Sequence, residues 1–268
     1  MIPKLIHYCW FGRNPIPKEY RKYMKSWKKH NPGYEIIRWD ENNYDVTKNA
    51  YMHEAYKAKK WAFVSDYARL DIVYNHGGIY LDTDVEILKN LDDLLFNKAF
   101  IGIEQDNLQC NTGSGFGAIK GHETIRKLRD CYDNIRFLNE DGTYNLTTCT
   151  SLQTHWLSKH GFVRENQKQI VADITIYPWE YFSANSTSPT GQIRKTDRAY
   201  SIHHYGFSWI PEKDQLERKI IQRYTRFFGK KAGLKLYNAS YIFRTAGIRG
   251  VCGKIKEQVK SKQGNSTI

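Results

Sequence analysis

Apolar positions along this chain fall into two alternating rhythms. Residues 4–10 read as a strand with alternating faces, and Tyr34–Trp39 as a second. Between them, Pro17 to about Lys29 has the spacing of a helix, stopped by Asn31-Pro32-Gly33. Helical spacing returns over about 48–56 and 58–76, followed by a short strand at 79–81 and another extended run, Val85–Leu88. Ala99–Ile103 and Ser114–Ile119 read as strands, His122–Leu138 and Ser151–His160 as helices, and Ile174–Tyr177 and Ala199–His203 as late short strands. Strands alternating with helices predict an α/β domain with a mixed central sheet and a ligand site at the strand ends.

The stretch 58–76 carries the most information. Phe63, Tyr67, Leu70 and Tyr74 recur at helical spacing, and Trp61, Val64, Ala68 and Ile72 fill the remaining faces. A helix apolar nearly all round is a buried one. It nevertheless carries Asp66 and Arg69, an i,i+3 pair on the face shared by Ala62 and Val73. Such a pair is either an internal ion pair or a pair that projects into a cleft. Gly77-Gly78 ends the helix. The strand Ile79–Leu81 then delivers Asp82 and Asp84, two carboxylates two residues apart. Their repulsion calls for a cation, and two hard oxygen donors suit Mg²⁺ or Mn²⁺.

Ser65-Asp66-Tyr67-Ala68-Arg69-Leu70, Tyr74, and Gly77-Gly78-Ile79-Tyr80-Leu81-Asp82-Thr83-Asp84 together resemble the signature of glycosyltransferases with an Asp-x-Asp sugar-binding region. The likeness is nearest to glycosyltransferase family 32 and extends more distantly to the clostridial glucosylating toxins. The opening Ile2–Gly12 and the late segment Ile202–Trp209 are similar to the same family, so the resemblance covers roughly residues 1–210. It implies a GT-A-like nucleotide-sugar-binding fold. It also implies a metal-dependent, retaining transfer of a hexose from a nucleotide sugar, with a UDP-sugar as expected donor. The expected acceptor is a glycan or lipid-linked oligosaccharide in bacterial surface polysaccharide synthesis.

The resemblance also assigns roles. Trp10 corresponds to a residue that stacks on the base, Tyr80 to one near the ribose and diphosphate, and Asp66 and Arg69 to contacts with the donor sugar. Asp82 would touch the ribose or a metal-bound water, and Asp84 the metal itself. His203 and His204 lie on opposite faces of a continuing strand, so one of them faces the site; the family pattern selects His203 as the further metal or diphosphate ligand. Trp209 would cover the diphosphate or the metal edge, and Asn111 matches a region around the donor sugar and acceptor. Relatives often carry Gly-Pro where this chain has Cys149-Thr150, so the acceptor region is not assigned from it.

Composition adds three points. Five cysteines lie scattered without Cys-x-x-Cys spacing, which favours a reducing compartment over disulfides or zinc. No run of about 18 apolar residues occurs, and the chain opens directly on its first strand, so the expectation is a cytoplasmic bacterial enzyme. The formal net charge is +13, and Glu212–Lys262 holds 14 Lys and Arg against 4 Asp and Glu. Within that tail Leu216, Ile220, Ile221, Tyr224, Phe227 and Phe228 recur at helical spacing among Arg218, Lys219, Arg223 and Arg226, and Tyr237, Tyr241, Ile242 and Phe243 begin a second stretch. This predicts a basic helical extension over 211–260 with a disordered end at 261–268. The extension either packs with a solvated face or docks peripherally on an anionic membrane surface. No nucleic-acid-binding motif accompanies the charge. Two rivals remain at this point: a phosphatase of the haloacid dehalogenase type, for which Asp92-Asp93 comes far too soon and no adjacent acidic pair follows Glu140-Asp141, and a non-catalytic basic membrane-binding module.

Overall fold

A computed structural model describes residues 1–185, 196–206, 210 and 212–264, the stretch 246–264 as backbone only. Trp209 lies outside the described residues. The chain divides into two compact units.

The first unit is built on a seven-stranded mixed sheet in the order β2-β1-β3-β6-β5-β8-β7. Its strands are β1 (Leu5–Cys9), β2 (Glu35–Trp39), β3 (Gly78–Tyr80), β5 (Ala99–Ile103), β6 (Cys110–Ala118), β7 (Gln169–Val171) and β8 (Ile174–Tyr177). β1 pairs parallel with β2 and β3, whereas β6 runs antiparallel to both β3 and β5. β4 (Val85–Ile87) stands apart from the large sheet and pairs antiparallel with β9 (Ser201–His203). The α/β class with a mixed central sheet and a helical C-terminal extension is therefore the observed one.

Helix α3 (Trp61–His76) follows α1 (Lys18–His30) and α2 (Ala50–Lys57) and is buried without interruption from Phe63 to Val73. It ends at Gly77, whose φ of 71° is open to glycine at little cost. His7, fully buried in β1, bonds the Gly77 carbonyl through Nε2 at 2.8 Å and accepts from the Trp39 indole at 3.1 Å. The turn from α3 into β3 is thereby fixed to the middle of the sheet. On the other face, Trp27 of α1 is fully buried and donates its indole N–H to the Val85 carbonyl at 2.8 Å, tying α1 to β4.

Two elements differ from the sequence expectation. The helix expected over His122–Leu138 is α4 (Glu123–Asp130), which tightens into a 3₁₀ turn at Cys131–Asn134. The chain beyond it is held by Glu54, whose Oε2 accepts from the Phe137 and Leu138 amides at 2.9 and 3.0 Å. This long-range anchor has no local sequence signal. The strand expected at Ser114–Ile119 begins earlier, at Cys110, because β6 carries a wide irregularity. Ile101 pairs with Phe116, yet the next residue, Gly102, pairs with Asn111. Residues 112–115 swing out of the ladder.

The second unit is α6 (Glu212–Gly264), which follows α5 (Cys149–Ser158) in chain order. It is not a straight rod. A straight helix would place Glu217 and Tyr237 roughly 30 Å apart, yet the Tyr237 hydroxyl bonds the Glu217 carboxylate. Tyr224 and Tyr237 lie with ring centroids 6.4 Å apart. The reversal falls at Gly229, with φ of 74°, and Gly233 lets the returning arm approach the backbone of Thr225. The two amphipathic stretches read from the sequence are the two arms of this hairpin. Spin labels at positions 217 and 237 are expected to report a separation far below 30 Å; a distance near 30 Å would show a continuous rod instead.

Candidate active site

After Tyr80 the backbone of β3 continues between its neighbours: Leu81 N–H donates to His7 O and Asp82 N–H to Gly113 O, each at 3.0 Å. This extension carries Asp82 to the mouth of a cavity of about 520 Å³, a size suited to a small-molecule ligand. Asp84 reaches the same cavity one step before β4. The pairing of β4 with β9 places Val85 opposite His203, which brings His203 beside Asp84 across 119 residues of chain.

Arg69 is a cation buried among the carboxylates that it touches. Its Nη2 lies 3.1 Å from Asp66 and 3.2 Å from Asp82, with its side chain 4 % exposed. The Ser65 carbonyl and hydroxyl accept from it at 3.0 Å, which fixes the plane of the guanidinium. Burial pushes the Asp66 carboxyl up to about 6, even with Arg69 alongside. At Asp84 burial acts in the same sense but is outweighed. His203 Nε2 at 3.2 Å and the Gly206 amide at 2.7 Å hold it down to about 2. The same contact raises His203 above the ordinary histidine value against its burial.

Ligand atoms of Asp82, Asp84 and His203 all lie within 4.8 Å of one another. Two carboxylate oxygens and an imidazole nitrogen form a donor set suited to Mn²⁺ or Mg²⁺. The imidazole is oriented for the purpose, because Ser114 Oγ bonds Nδ1 at 2.9 Å and leaves Nε2 toward Asp84. His204 points elsewhere: it stacks on Tyr23 with centroids 3.9 Å apart and bonds Glu86 at 2.9 Å.

The other residues expected at the site separate into two groups. Trp10, Asp66, Arg69, Asp82, Asp84, Asn111 and His203 all line the cavity. Tyr80 does not. It is 1 % exposed, packs under the Arg69 guanidinium at 5.0 Å, and donates its hydroxyl to Asp82 at 3.2 Å. In this structure Tyr80 lies behind Asp82 and Arg69, in contact with both. Sequence reasoning missed Tyr20, Trp61 and Glu104, which also line the cavity. Glu104 carried a usable signal, since it is a carboxylate at the end of the wholly apolar strand Ala99–Ile103, as Asp82 is at the end of its own.

The family described as glycosyltransferase sugar-binding region containing DXD motif matches residues 17–101. An uncharacterized glycosyltransferase of Acanthamoeba polyphaga mimivirus is 32% identical over 224 residues, covering 79% of this chain and 85% of the relative. The chain belongs to this glycosyltransferase family. Inositol phosphoceramide mannosyltransferase 3 of Schizosaccharomyces pombe is 32% identical over 144 residues, and the chain spans 40% of that longer protein. Among solved structures, the PaToxG glycosyltransferase aligns with a TM-score of 0.48 at 22% identity, covering 59% of this chain and 68% of that one. The protein is thus a glycosyltransferase with a DXD sugar-binding region, and in this chain that motif is Asp82-Thr83-Asp84.

The swing of residues 112–115 out of β6 explains one requirement of the motif. A Cβ on Gly113 would overlap the Asp82 carboxylate and crowd Arg69 Nη1 and Asn111 Oδ1, both 3.1 Å away. Gly113→Ala should therefore displace Asp82 while the sheet survives. The expected result is a loss of about 100-fold in kcat/KM, the scale of a 1 Å misplacement in an active site, with a cooperative melt retained. Activity near the wild-type level would show that the position of Asp82 does not matter.

Proposed function

We propose that the protein is a metal-dependent, retaining hexosyltransferase that uses a UDP-sugar. Its proposed acceptor is a glycan or lipid-linked oligosaccharide of a bacterial surface polysaccharide. The observation that carries the reading is the convergence of Asp82, Asp84 and His203 at one cavity. Asp84 and His203 would hold the cation, with Asp82 beside it. A divalent cation bound there supplies charge neutralisation for the departing diphosphate. The family favours such a metal; the choice of Mn²⁺ or Mg²⁺ belongs to the proposal.

The remaining roles follow from the side chains. Trp10 donates its indole N–H to the Asn14 carbonyl at 2.6 Å and stands edge-on to Tyr20 at 6.3 Å, so the ring is held in place at the cavity wall. An aromatic face so fixed can stack on a nucleobase. Asp66 offers oxygens to sugar hydroxyls, and Arg69 holds Asp66 and Asp82 in register while balancing their charge. Replacing Asp84 by Asn keeps the amide contact from Gly206 but removes the ligand charge. Asp84→Asn is expected to lose more than about 100-fold of Mn²⁺-stimulated UDP-sugar hydrolysis and transfer, with a cooperative melt retained. Normal turnover in a metal-supplemented assay would remove Asp84 from the metal site.

The C-terminal hairpin supports a peripheral place on the cytoplasmic membrane face, near a lipid-linked acceptor. Among the described residues, no helix is long and apolar enough to cross a membrane. At the reversal, however, Arg226, Phe227, Phe228, Lys230 and Lys231 are all exposed, Phe227 by 73%. Two aromatic rings flanked by cations suit the interface of an anionic bilayer, where each well-placed Lys or Arg adds about 1 kcal/mol. One relative is named as a mannosyltransferase of inositol phosphoceramide, a lipid. The full chain is expected to co-sediment with phosphatidylserine vesicles at low salt and to release at high salt. Charge reversal at Lys219, Arg223 and Arg226 should abolish this. Equal binding by that variant, or no binding at any salt, would leave the hairpin as a solvated basic surface.

A further inference from the structure

Glu104 is a carboxylate in the cavity wall for which the roles above leave no use. It is 6 % exposed and follows β5 directly. Asn107 Nδ2 donates to its Oε2 at 2.6 Å and Asn111 Nδ2 to its Oε1 at 2.7 Å. The orientation of Asn111 is not free, because its Oδ1 accepts from the Gly113 and Ser114 amides at 2.6 and 3.2 Å, which turns the NH₂ toward Glu104. Among the described residues Glu104 forms no ion pair with Lys, Arg or His, in contrast to Asp66, Asp82 and Asp84. A buried carboxylate whose hydrogen bonds, among the described residues, come from neutral amides is costly to keep unless something else satisfies it.

A carboxylate offers about four lone-pair positions. Among the described residues the two amides take one on each oxygen, and one on each remains. The neighbouring wall is already satisfied internally: Gln109 Oε1 accepts from Thr150 at 3.0 Å and its Nε2 donates to Ser151 at 3.3 Å. A diphosphate would be repelled by Glu104. A group bearing hydroxyls fits two free acceptor positions on one rigid carboxylate.

We propose that Glu104 is a specificity-determining residue that accepts hydrogen bonds from hydroxyl groups of the transferred sugar. The inference rests on the nucleotide-sugar reading of the cavity. A purely structural role is the rival, because Glu104 orients Asn111, and Asn111 braces Gly113 behind Asp82 and Ser114 behind His203.

The two roles separate by what is bound. UDP-hexoses and GDP-mannose, each with its monodeoxy analogues, are titrated with Mn²⁺ onto the full chain and onto Glu104→Gln, alongside UDP and GDP alone. In wild type, removal of one particular hydroxyl is expected to weaken binding by about tenfold or more, the scale of a hydrogen bond to a charged group. In Glu104→Gln that penalty is expected to vanish, while affinity for the nucleoside diphosphate stays within about twofold. Glu104→Asp, which keeps the charge and shortens the reach, should show a reduced penalty and serves if the amide does not fold. An equal penalty in wild type and variant overturns the proposal, as does a parallel fall in nucleoside diphosphate affinity, which marks Glu104 as a brace. If wild type binds UDP or GDP but no sugar conjugate more tightly, Glu104 is not a sugar contact although the nucleotide site stands. If it binds none of these ligands, the nucleotide-sugar reading falls with it.

Discussion

Like charges held close together around one cavity govern the rest of this site. Asp66, Asp82, Asp84 and Glu104 all line one wall system, and each must be compensated or left waiting for a ligand. Arg69 answers two of them at once, and His203 answers a third. The fourth is answered by amides. Much of the surrounding framework serves to hold those partners: Ser65 grips the guanidinium, Tyr80 lies beneath it, and Ser114 turns the imidazole. Removing Arg69 would leave the buried Asp66 carboxylate without its ion pair, a loss on the order of 3–5 kcal/mol for a broken buried pair, and would take the same partner from the part-exposed Asp82. The ion pairs are therefore both the chemistry of the site and part of what keeps it folded.

Residues 112–115 are the structural junction. By leaving the ladder between Ile101–Phe116 and Gly102–Asn111, they present Gly113 to Asp82 and Ser114 to His203 in successive positions. Ser114 is further tied to Ser183 and Ser201 at 3.2 Å. A regular strand would have pointed alternate side chains to opposite faces. The irregularity instead aims neighbours at the same cavity, a common use of bulged strands beside active sites. Glu104 sits at the far end of this chain of contacts, through Asn111. Glu104 and His203 thus share one hydrogen-bond network, so a change at either end is felt by the other.

Several features were legible from residue order alone because their causes are local. The buried helix ahead of the motif follows from apolar residues on every face. Its stop follows from Gly77, and the delivery of two carboxylates follows from a three-residue apolar strand. The alternation of strands and helices, the helical spacing of the tail and the pairing of Asp66 with Arg69 also depend on near neighbours. The family signature spans residues that touch one another within the same helix-turn-strand unit, which is why it is compact enough to recognise.

What the sequence determined by itself was the identity of the charged groups and the segments that carry them. Tertiary structure decided which of them meet. His203 rather than His204 faces Asp84 because β9 pairs with β4 in one register, and a shift of one residue would exchange them. Tyr80 supports the site from behind because its strand is buried on both faces, a property of the sheet around it. Glu104 meets Asn111 at the cavity wall across the irregular pairing of β5 with β6. The reversal at Gly229 is visible in contacts between residues 20 apart, whereas local spacing reads the same in one rod or two arms. Periodicity reports the face a residue presents, and register and long-range pairing determine what that face meets.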